Sequence, residues 1–226
     1  MKRFLYLVVF TLLTAVATAH TPLDNGYKKI EFSILRNGSV VGFSNYYLDR
    51  DAQSLTVNKT THSKVTAFGI TLLKLTSHST ELFKDDKLVS FKSHTVENSD
   101  EKFVEVTYDK NLKKYLVNGA NFKSEASQSS VVGNWWSASI FDANEIISAF
   151  TGTVKLSSTK LVGKEKLYLD EKEYSTDHYV ITVRDRGKSD GDSSSFDVWY
   201  YPEAHLIIKI AFSKHGDWEY IVKNYE

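Results

Sequence analysis

The feature that most constrains the fold is a period-two alternation of apolar and polar residues, interrupted at short polar turns. Ile30, Phe32 and Ile34 alternate with polar neighbours, and this alternation places their side chains on one face of a β-strand. Asn37-Gly38 follows directly, and this dipeptide between two alternating runs favours a two-residue hairpin. The start of this region is therefore predicted to form antiparallel strands.

The same pattern recurs to the end of the chain. Proline, which removes a donor from a sheet ladder, occurs only at Pro22 and Pro202. Further turns are predicted at residues 84–87, 109–111, 118–119 and 214–217. We expect about eleven or twelve strands, joined by connections too short for parallel crossovers. The predicted fold class is mainly β, a curved antiparallel sheet or half-open β-barrel.

One segment lacks the strand pattern. The start of residues 142–150 fits a helix N-cap with an acidic residue, Glu145, at the third helical position. Ile146, Ile147 and Phe150 then fall on one face of a helix. We predict one short α-helix there, which covers an apolar face of the sheet.

The chain begins with the pattern of a cleavable export signal. Lys2 and Arg3 precede residues 4–16, which are apolar apart from two threonines, and Ala17-Thr18-Ala19 fits the cleavage rule. The apolar stretch has 13 residues, whereas a membrane-spanning helix needs about 20. We therefore predict that residues 1–19 are removed and that no transmembrane anchor remains.

Charge and cysteine content narrow the class of protein. Lys2 and Arg3 supply two of the 28 basic residues, against 28 acidic residues, so the exported part has a net charge near −2 and lacks the basic face of nucleic-acid binders. The absence of cysteine excludes a lipoprotein anchor and disulfides. Residues 20–226 are predicted to form a single β-rich domain in the periplasm, or alternatively a secreted one.

Two short motifs occur in one polar loop. Residues 187–191 match the G-x-S-x-G pattern, but a nucleophile elbow needs a strand before it and a helix after it, and here a second strand follows. Asp190-Gly191-Asp192 resembles the start of a calcium loop but lacks its later ligands. Both are interpreted as parts of a hairpin loop.

Other candidates for chemistry are equally weak. His62, His78 and His94 are spaced 16 residues apart, which in a meander can place them at similar heights on neighbouring strands, but zinc sites usually have two ligands within a few residues of each other. The pair Asp85-Asp86 lies in a solvated turn, unlike a general acid in an apolar pocket. We predict no catalytic residues, no metal site and no cofactor, and hence no enzyme.

The aromatic residues carry the functional prediction. The chain has 13 Phe, 13 Tyr and 4 Trp, and large aromatic residues either fill a core or line a cavity beneath a curved sheet. The second interpretation predicts a pocket and its lid around the predicted helix. The candidate pocket residues are Trp135, Trp136, Phe141, Ile146 and Phe150.

These motifs together resemble a known family. The Asn-Gly hairpin followed by Val41-Gly42, Glu81 before Leu82-Phe83, the Trp-Trp segment and Trp199-Tyr200-Tyr201 are similar to DUF6134, a family of exported bacterial proteins of unknown function. The resemblance covers nearly all of residues 20–226. That family's pattern is in turn similar in architecture to the half-open β-barrels of the lipoprotein carriers LolA and LolB, in which helices cover an acyl-chain cavity.

Three functional hypotheses follow. The first is a soluble, non-catalytic binding or carrier protein for an apolar ligand, such as a lipid or acyl chain. The second is a structural or interaction protein of the cell envelope, with a fully packed core and a protein partner at an exposed patch or sheet edge. The third, a hydrolase or other enzyme, is the weakest because no catalytic constellation is visible.

Overall fold

The computed structural model describes residues 26–186 and 193–226, so the predicted export signal at residues 1–19 lies outside the described residues. The described residues form one large sheet of 15 strands, mostly antiparallel and not closed. This confirms the prediction of a mainly β, antiparallel fold. The strand number exceeds the expected eleven or twelve, partly because several strands have only two to five residues, too short for the alternation to be recognised.

The strands have the following bounds: β1 Lys29–Arg36, β2 Ser39–Arg50, β3 Ser54–Ala67, β4 Ile70–Lys84, β5 Lys87–Glu97, β6 Asp100–Asp109, β7 Lys114–Asn118, β8 Lys123–Ser127, β9 Val131–Val132, β10 Glu145–Ile147, β11 Val154–Leu169, β12 Lys172–Asp185, β13 Ser193–Tyr201, β14 Leu206–Ser213 and β15 Asp217–Tyr225. Two short 3-10 helices, Ala138–Asp142 and Pro202–Ala204, complete the described secondary structure.

The strand order requires the sheet to curl. It runs from β8 through β1, then from β15 to β9, so β8 and β9 are its two edges. Yet Ser127 ends β8 and Val131 begins β9, and the chain spans at most about 3.6 Å per residue. The two edges therefore lie within about 15 Å of each other, and the open sheet has the shape of a barrel with a seam.

The predicted α-helix over residues 142–150 is wrong. A 3-10 helix ends at Asp142, and β10, Glu145–Ile147, pairs antiparallel with β11 and parallel with β9. Ile146 and Ile147 are both buried, which suits consecutive β-branched residues in a strand that is covered on both faces. The backbone groups of this segment are thus satisfied by two neighbouring strands rather than by a helix. No helix among residues 26–186 and 193–226 is long and apolar enough to cross a membrane.

Three of the tight hairpin turns have left-handed backbone at both central residues. Two of them carry residues that favour this conformation, and the third does not. Asn37-Gly38 has φ values of 49° and 77°, and Asp85 and Asp86 have values of 48° and 58°, as a type I′ turn requires at both central residues. Phe68-Gly69, at the β3–β4 turn, adopts the same conformation with φ values of 50° and 77°. A bulky residue is rarely found in the first of these positions.

The inner face of the curled sheet is filled by residues 133–153, which we call the strap. The strap connects β9 to β11 and contains β10. The backbone N–H of Trp135 donates to the Tyr46 hydroxyl on β2 at 3.2 Å, and Phe141 stacks on Tyr179 of β12 with ring centroids 4.3 Å apart. The strap therefore contacts both halves of the sheet and forms the centre of the core.

Candidate functional site

Two charged side chains lie on the inner face of the β3–β4 pair. Lys59 lies two residues from Val57 on β3, so both side chains face the inside of the sheet. Glu81 and Phe83 of β4 face inward in the same way. Both charged residues are almost fully buried. Buried charges without partners are strongly unfavourable, so their contacts decide how the site is built.

The strap supplies the partners. Asn134 donates from Nδ2 to Glu81 Oε1 at 2.5 Å and accepts from Lys59 Nζ through Oδ1 at 3.0 Å. Trp136 Nε1 donates to the same Glu81 oxygen at 3.0 Å. The amide thus bridges the two charges, and a chain of hydrogen bonds runs from Lys59 through Asn134 to Glu81 and Trp136.

The second oxygen of Glu81 differs from the first. Oε1 accepts from both strap residues, whereas Oε2 accepts no hydrogen bond from the described part of the chain. A carboxylate has lone pairs on both oxygens, so Oε2 keeps its capacity to accept. This oxygen belongs to a residue that lines a cavity.

Burial shifts the pKa of each group in the direction that favours its uncharged form. Desolvation raises the pKa of Glu81 to about 7, against the hydrogen bonds from Trp136 and Asn134 and the charge of Lys59, which lower it. Desolvation likewise lowers the pKa of Lys59 to about 8, partly opposed by the charge of Glu81. Near neutral pH Glu81 is therefore partly protonated, whereas a solvated glutamate is almost fully ionised.

A cavity of about 180 Å³ lies next to Glu81, between β4–β5, the β8–β9 connection and the strap. Its apolar and aromatic lining is Phe83, Leu88, Tyr115, Val131, Val132 and Trp136. Asp86 and Lys87 also line it, and both are exposed, so the cavity opens beside the β4–β5 turn. The rest of its lining is polar and includes Asn134, several serines and the buried carboxylate of Glu81.

The wall of the cavity at the seam is fixed by Glu145 of β10. Its Oε2 accepts from the Ser127 backbone N–H and from Ser130 Oγ, both at 2.9 Å, and its Oε1 pairs with Arg186. Burial acts to raise the pKa of Glu145, but these hydrogen bonds together outweigh burial and lower it below its ordinary value. One ionised carboxylate thus ties the two sheet edges together beside the cavity.

Of the five predicted pocket residues, Trp136 alone lines this cavity. Trp135 instead packs against Phe196, with ring centroids 5.6 Å apart, and Phe150 lies against the ammonium of Lys59, 5.2 Å from its ring centroid. The strap thus contains all five predicted residues, and one of them, Trp136, borders the cavity.

The other two predicted residues pack against residues of the sheet. Phe141 lies between Tyr179 and Tyr200 of β12 and β13. Ile146 is buried within β10, between β9 and β11. Neither lines the cavity, because the segment expected to be a lid is a strand of the sheet.

Sequence reasoning missed Lys59, Glu81 and Asn134 as site residues. The sequence does mark the first two. Each alternates in phase with apolar residues that face the core, and a charged residue at such a position is unusual. No such signal marks Asn134, which is 75 residues from Lys59 and 53 from Glu81 in sequence. Only the folded strap brings it between them.

The three histidines lie on the outer face of the sheet. His78 and His94 are direct register partners on β4 and β5, as their spacing indicated, and His62 is offset because Thr60 is the residue opposite His78. No group of three or more His, Cys, Asp or Glu in the described ranges is arranged to hold a metal ion. The G-x-S-x-G and calcium-like motifs at residues 187–192 lie outside the described residues.

The fold and the cavity define a class: a curled, open, barrel-like β-sheet protein with an internal strap and a small cavity beneath it. The model of a family described as a domain of unknown function, DUF6134, matches residues 32–223. The chain belongs to this family, and the resemblance inferred from its motifs is confirmed. No curated protein matches the chain.

A solved structure shares the fold. It is the crystal structure of a β-barrel-like protein of the domain of unknown function DUF1849 from Brucella abortus, with a TM-score of 0.62 over 88% of this chain and 96% of that one. The sequences are 10% identical, so the similarity concerns the architecture alone.

Proposed function

We propose that this protein is an exported, non-catalytic binding or carrier protein for a small, mostly apolar ligand held in the cavity beside Glu81. The observation that carries the proposal is the cavity itself, which combines six apolar or aromatic residues with polar side chains, among them one buried carboxylate. Ligand sites generally combine an apolar lining with a few well-placed polar groups. A fully packed envelope protein, the alternative hypothesis, has no need of such a cavity.

The size of the cavity limits the ligand. At about 180 Å³ it is slightly larger than an apolar cavity of about 150 Å³ that binds benzene, and smaller than the roughly 300–1,000 Å³ of sites for drug-sized ligands. We infer a ligand, or the end of a ligand, of roughly six to ten non-hydrogen atoms. A whole lipid acyl chain enters only if the strap moves.

Glu81 indicates the polar group of the ligand. Its Oε2 accepts no hydrogen bond from described residues, and its carboxylate shares the cavity lining with Phe83, Tyr115 and Trp136. An ammonium or a neutral N–H or O–H donor on the ligand would supply the missing hydrogen bond. The proposed ligand is therefore an apolar molecule that carries one donor group, such as an aromatic or aliphatic amine.

The cellular setting remains part of the proposal. Residues 1–19 carry the export pattern, so we place the function in the periplasm or outside the cell. The similarity to the carriers LolA and LolB is kept as an architectural hypothesis, supported by the open, barrel-like sheet. A carrier of this kind would release its ligand when the strap or the seam opens.

A second candidate is catalysis by Glu81. A carboxyl group with a pKa of about 7 in an apolar pocket has the property of a general acid or base. The lining contains no histidine; Ser137 donates to Ser139, and Ser130 donates to Glu145, whose lowered pKa makes its carboxylate a weak base. No activated nucleophile accompanies Glu81 in the cavity, which favours binding over catalysis.

The test is ligand binding with a cavity-filling variant. Benzylamine and benzene serve as probes, and binding is followed by calorimetry and by the rise in melting temperature. Leu88→Trp, which fills the cavity, should abolish binding of both probes, while Leu116→Trp on the exposed face of β7 should not. Glu81→Gln should weaken benzylamine more than benzene.

Mass spectrometry of protein purified from its native envelope and then denatured should also release a small molecule. Absence of any released molecule together with failure of both probes would refute the binding proposal. Turnover of a probe that depends on Glu81 would favour the catalytic candidate instead.

A further inference from the structure

The β3–β4 hairpin extends beyond both neighbouring strands. Its register with β2 ends at Ser63, and its register with β5 ends at Leu75. From the pair Lys64–Lys74 up to the turn, β3 and β4 pair only with each other. We call residues 64–74 the lysine-flanked hairpin. Four residues separate Lys64 from Phe68, so at about 3.4 Å per residue its tip rises about 14 Å above the level of the two lysines.

The tip of the lysine-flanked hairpin is apolar and exposed. Phe68 has a relative exposure of 104%, Ile70 of 65% and Leu72 of 54%. Val65 is buried at its base, and the Lys74 backbone bonds to Asn98 of the β5–β6 turn, so the base is fixed while the tip projects. Large apolar side chains grouped on a projecting element mark a surface for interaction.

The backbone at Phe68 gives a second reason. Its φ of 50° is left-handed, a conformation that costs energy for a bulky residue and that Asn adopts readily. Asn37-Gly38 shows the expected residue in the same kind of turn. Turn formation therefore does not explain Phe68, and an exposed ring in a strained position points to a role for that ring.

The charges form the third observation. Lys64 and Lys74 are direct register partners, both are exposed, and neither forms an ion pair with a carboxylate in the described part of the chain. Residues 64–74 contain no Asp or Glu. Like charges directly opposite each other in a sheet are unfavourable, so this pair places two positive charges just below an apolar tip. In the neighbouring β5–β6 turn, Glu97 and Glu101 pair with Lys102 and His94 rather than with these lysines.

We propose that the lysine-flanked hairpin docks on an anionic lipid bilayer. Phe68, Ile70 and Leu72 enter the boundary between headgroups and acyl chains, and Lys64 and Lys74 contact lipid phosphates at the surface. With the tip inserted, the apolar side chains lie deeper in the membrane than the two lysines. This matches the order of acyl chains and anionic headgroups in such a membrane, where both apolar burial and attraction to anionic lipid contribute to binding.

This docking is independent of the proposed ligand. The lysine-flanked hairpin lies at one end of the sheet, whereas the cavity opens beside the β4–β5 turn at the opposite end of β4. Membrane docking therefore stands even if the cavity proves empty, and ligand binding stands even if the hairpin binds no lipid.

The test is co-sedimentation of the purified protein with vesicles of phosphatidylcholine alone and of phosphatidylcholine mixed with phosphatidylglycerol. We expect binding to the anionic vesicles, weakened at least about tenfold by Phe68→Asn, which retains a residue suited to the turn. Lys64→Gln with Lys74→Gln should weaken it by about 25-fold, about fivefold for each lysine. Lys110→Gln with Lys113→Gln, in the β6–β7 turn at the opposite end, is the matched control and should bind normally.

A labelled variant locates the contact. Because the chain has no cysteine, Thr71→Cys and Asn111→Cys each accept one environment-sensitive dye. The dye at position 71 should shift to the blue on anionic vesicles and the dye at position 111 should not. Circular dichroism confirms the fold of each variant. Equal binding by the Phe68 variant, binding to neither kind of vesicle, or self-association through Phe68 without lipid would each overturn the proposal.

Discussion

The same two strands, β3 and β4, form both the most constrained and the least constrained region of this protein. In their inner half, Lys59 and Glu81 are buried beneath the strap and joined through Asn134. In their outer half, Lys64 and Lys74 are exposed. Each half has charged residues within an alternating pattern, yet one half forms a buried polar network and the other a projecting hairpin.

The difference shows two effects: strand alternation decides which face of the sheet a charged residue occupies, with Lys59 and Glu81 inward and Lys64 and Lys74 outward, and the distant strap then sets the properties of the inward pair. Where the strap covers the sheet, charges lose hydration and their pKa values move toward neutrality. Lys64 and Lys74, on the outward face, stay hydrated, and substitutions of exposed residues there should hardly affect stability. The two halves can therefore be compared by making similar substitutions in each and measuring the free energy of unfolding.

The largest effect should come from removing the strap's anchor in the inner half. Trp136→Ala deletes a buried indole and a hydrogen bond to Glu81, and should lower the free energy of unfolding by about 3–5 kcal/mol. Phe68→Ala, which deletes an exposed ring in the outer half, should change it by less than about 0.5 kcal/mol. Urea unfolding followed by circular dichroism measures both. Similar losses for the two variants would refute the contrast.

The second effect concerns pH. Because the pKa of Glu81 is raised to about 7 in the folded protein, the folded state binds more protons than the unfolded state between the ordinary carboxyl pKa and about 7, and its stability falls as pH rises through this window. Glu81→Gln removes this loss, so its stability relative to the native protein should rise by about 3 kcal/mol from pH 4 to pH 8. Parallel pH profiles for the two proteins would contradict the assignment.

The third effect is the coupling between the two buried charges. Lys59→Met should cost more in the native background than in the Glu81→Gln background, with a coupling energy of about 1–3 kcal/mol at pH 8. The coupling should shrink at pH 5, where Glu81 is protonated. Lys64→Met is the matched control, and its effect should add to that of Glu81→Gln within about 0.5 kcal/mol. A double-mutant cycle from urea unfolding gives both numbers.

The smallest effect should be a gain in the outer half. Phe68→Asn places a residue suited to left-handed backbone at a φ of 50° and should raise the free energy of unfolding by about 0.5 kcal/mol. The reverse change, Asn37→Phe, should destabilise, since it also removes the hydrogen bond that Asn37 accepts from Asp217 N–H. Thermal unfolding resolves both signs. A loss with Phe68→Asn would show that Phe68 stabilises the turn.

Local patterns predicted much of the sheet. The alternation around Ile30 and the hairpins at Asn37-Gly38 and Asp85-Asp86 follow from side-chain period and turn chemistry, which need only neighbouring residues. The segment at residues 142–150 failed because its local pattern fits a helix while its backbone hydrogen bonds go to β9 and β11. Tertiary pairing overrode the local preference there.

The site could be predicted only in part. Trp136 was identified from the aromatic content of the strap, but Trp135, its neighbour, packs against Phe196 instead. In an irregular segment the sequence cannot tell which of two adjacent side chains faces a cavity, because no fixed period relates the directions in which they point. Glu81 could have been recognised from its parity with Phe83, though not its hydrogen-bond partners.

What the sequence by itself determined is the type of architecture: antiparallel strands, short turns, a covering segment around Trp136 and membership of DUF6134. What only the tertiary structure decided is which inward charges are dehydrated and what they bond to. The strap reaches Lys59 and Glu81 from more than 50 residues away in sequence, whereas Lys64 and Lys74 face the outer side of the sheet. Strand patterns are read from neighbouring residues, whereas dehydration of a charge depends on whichever distant segment covers it.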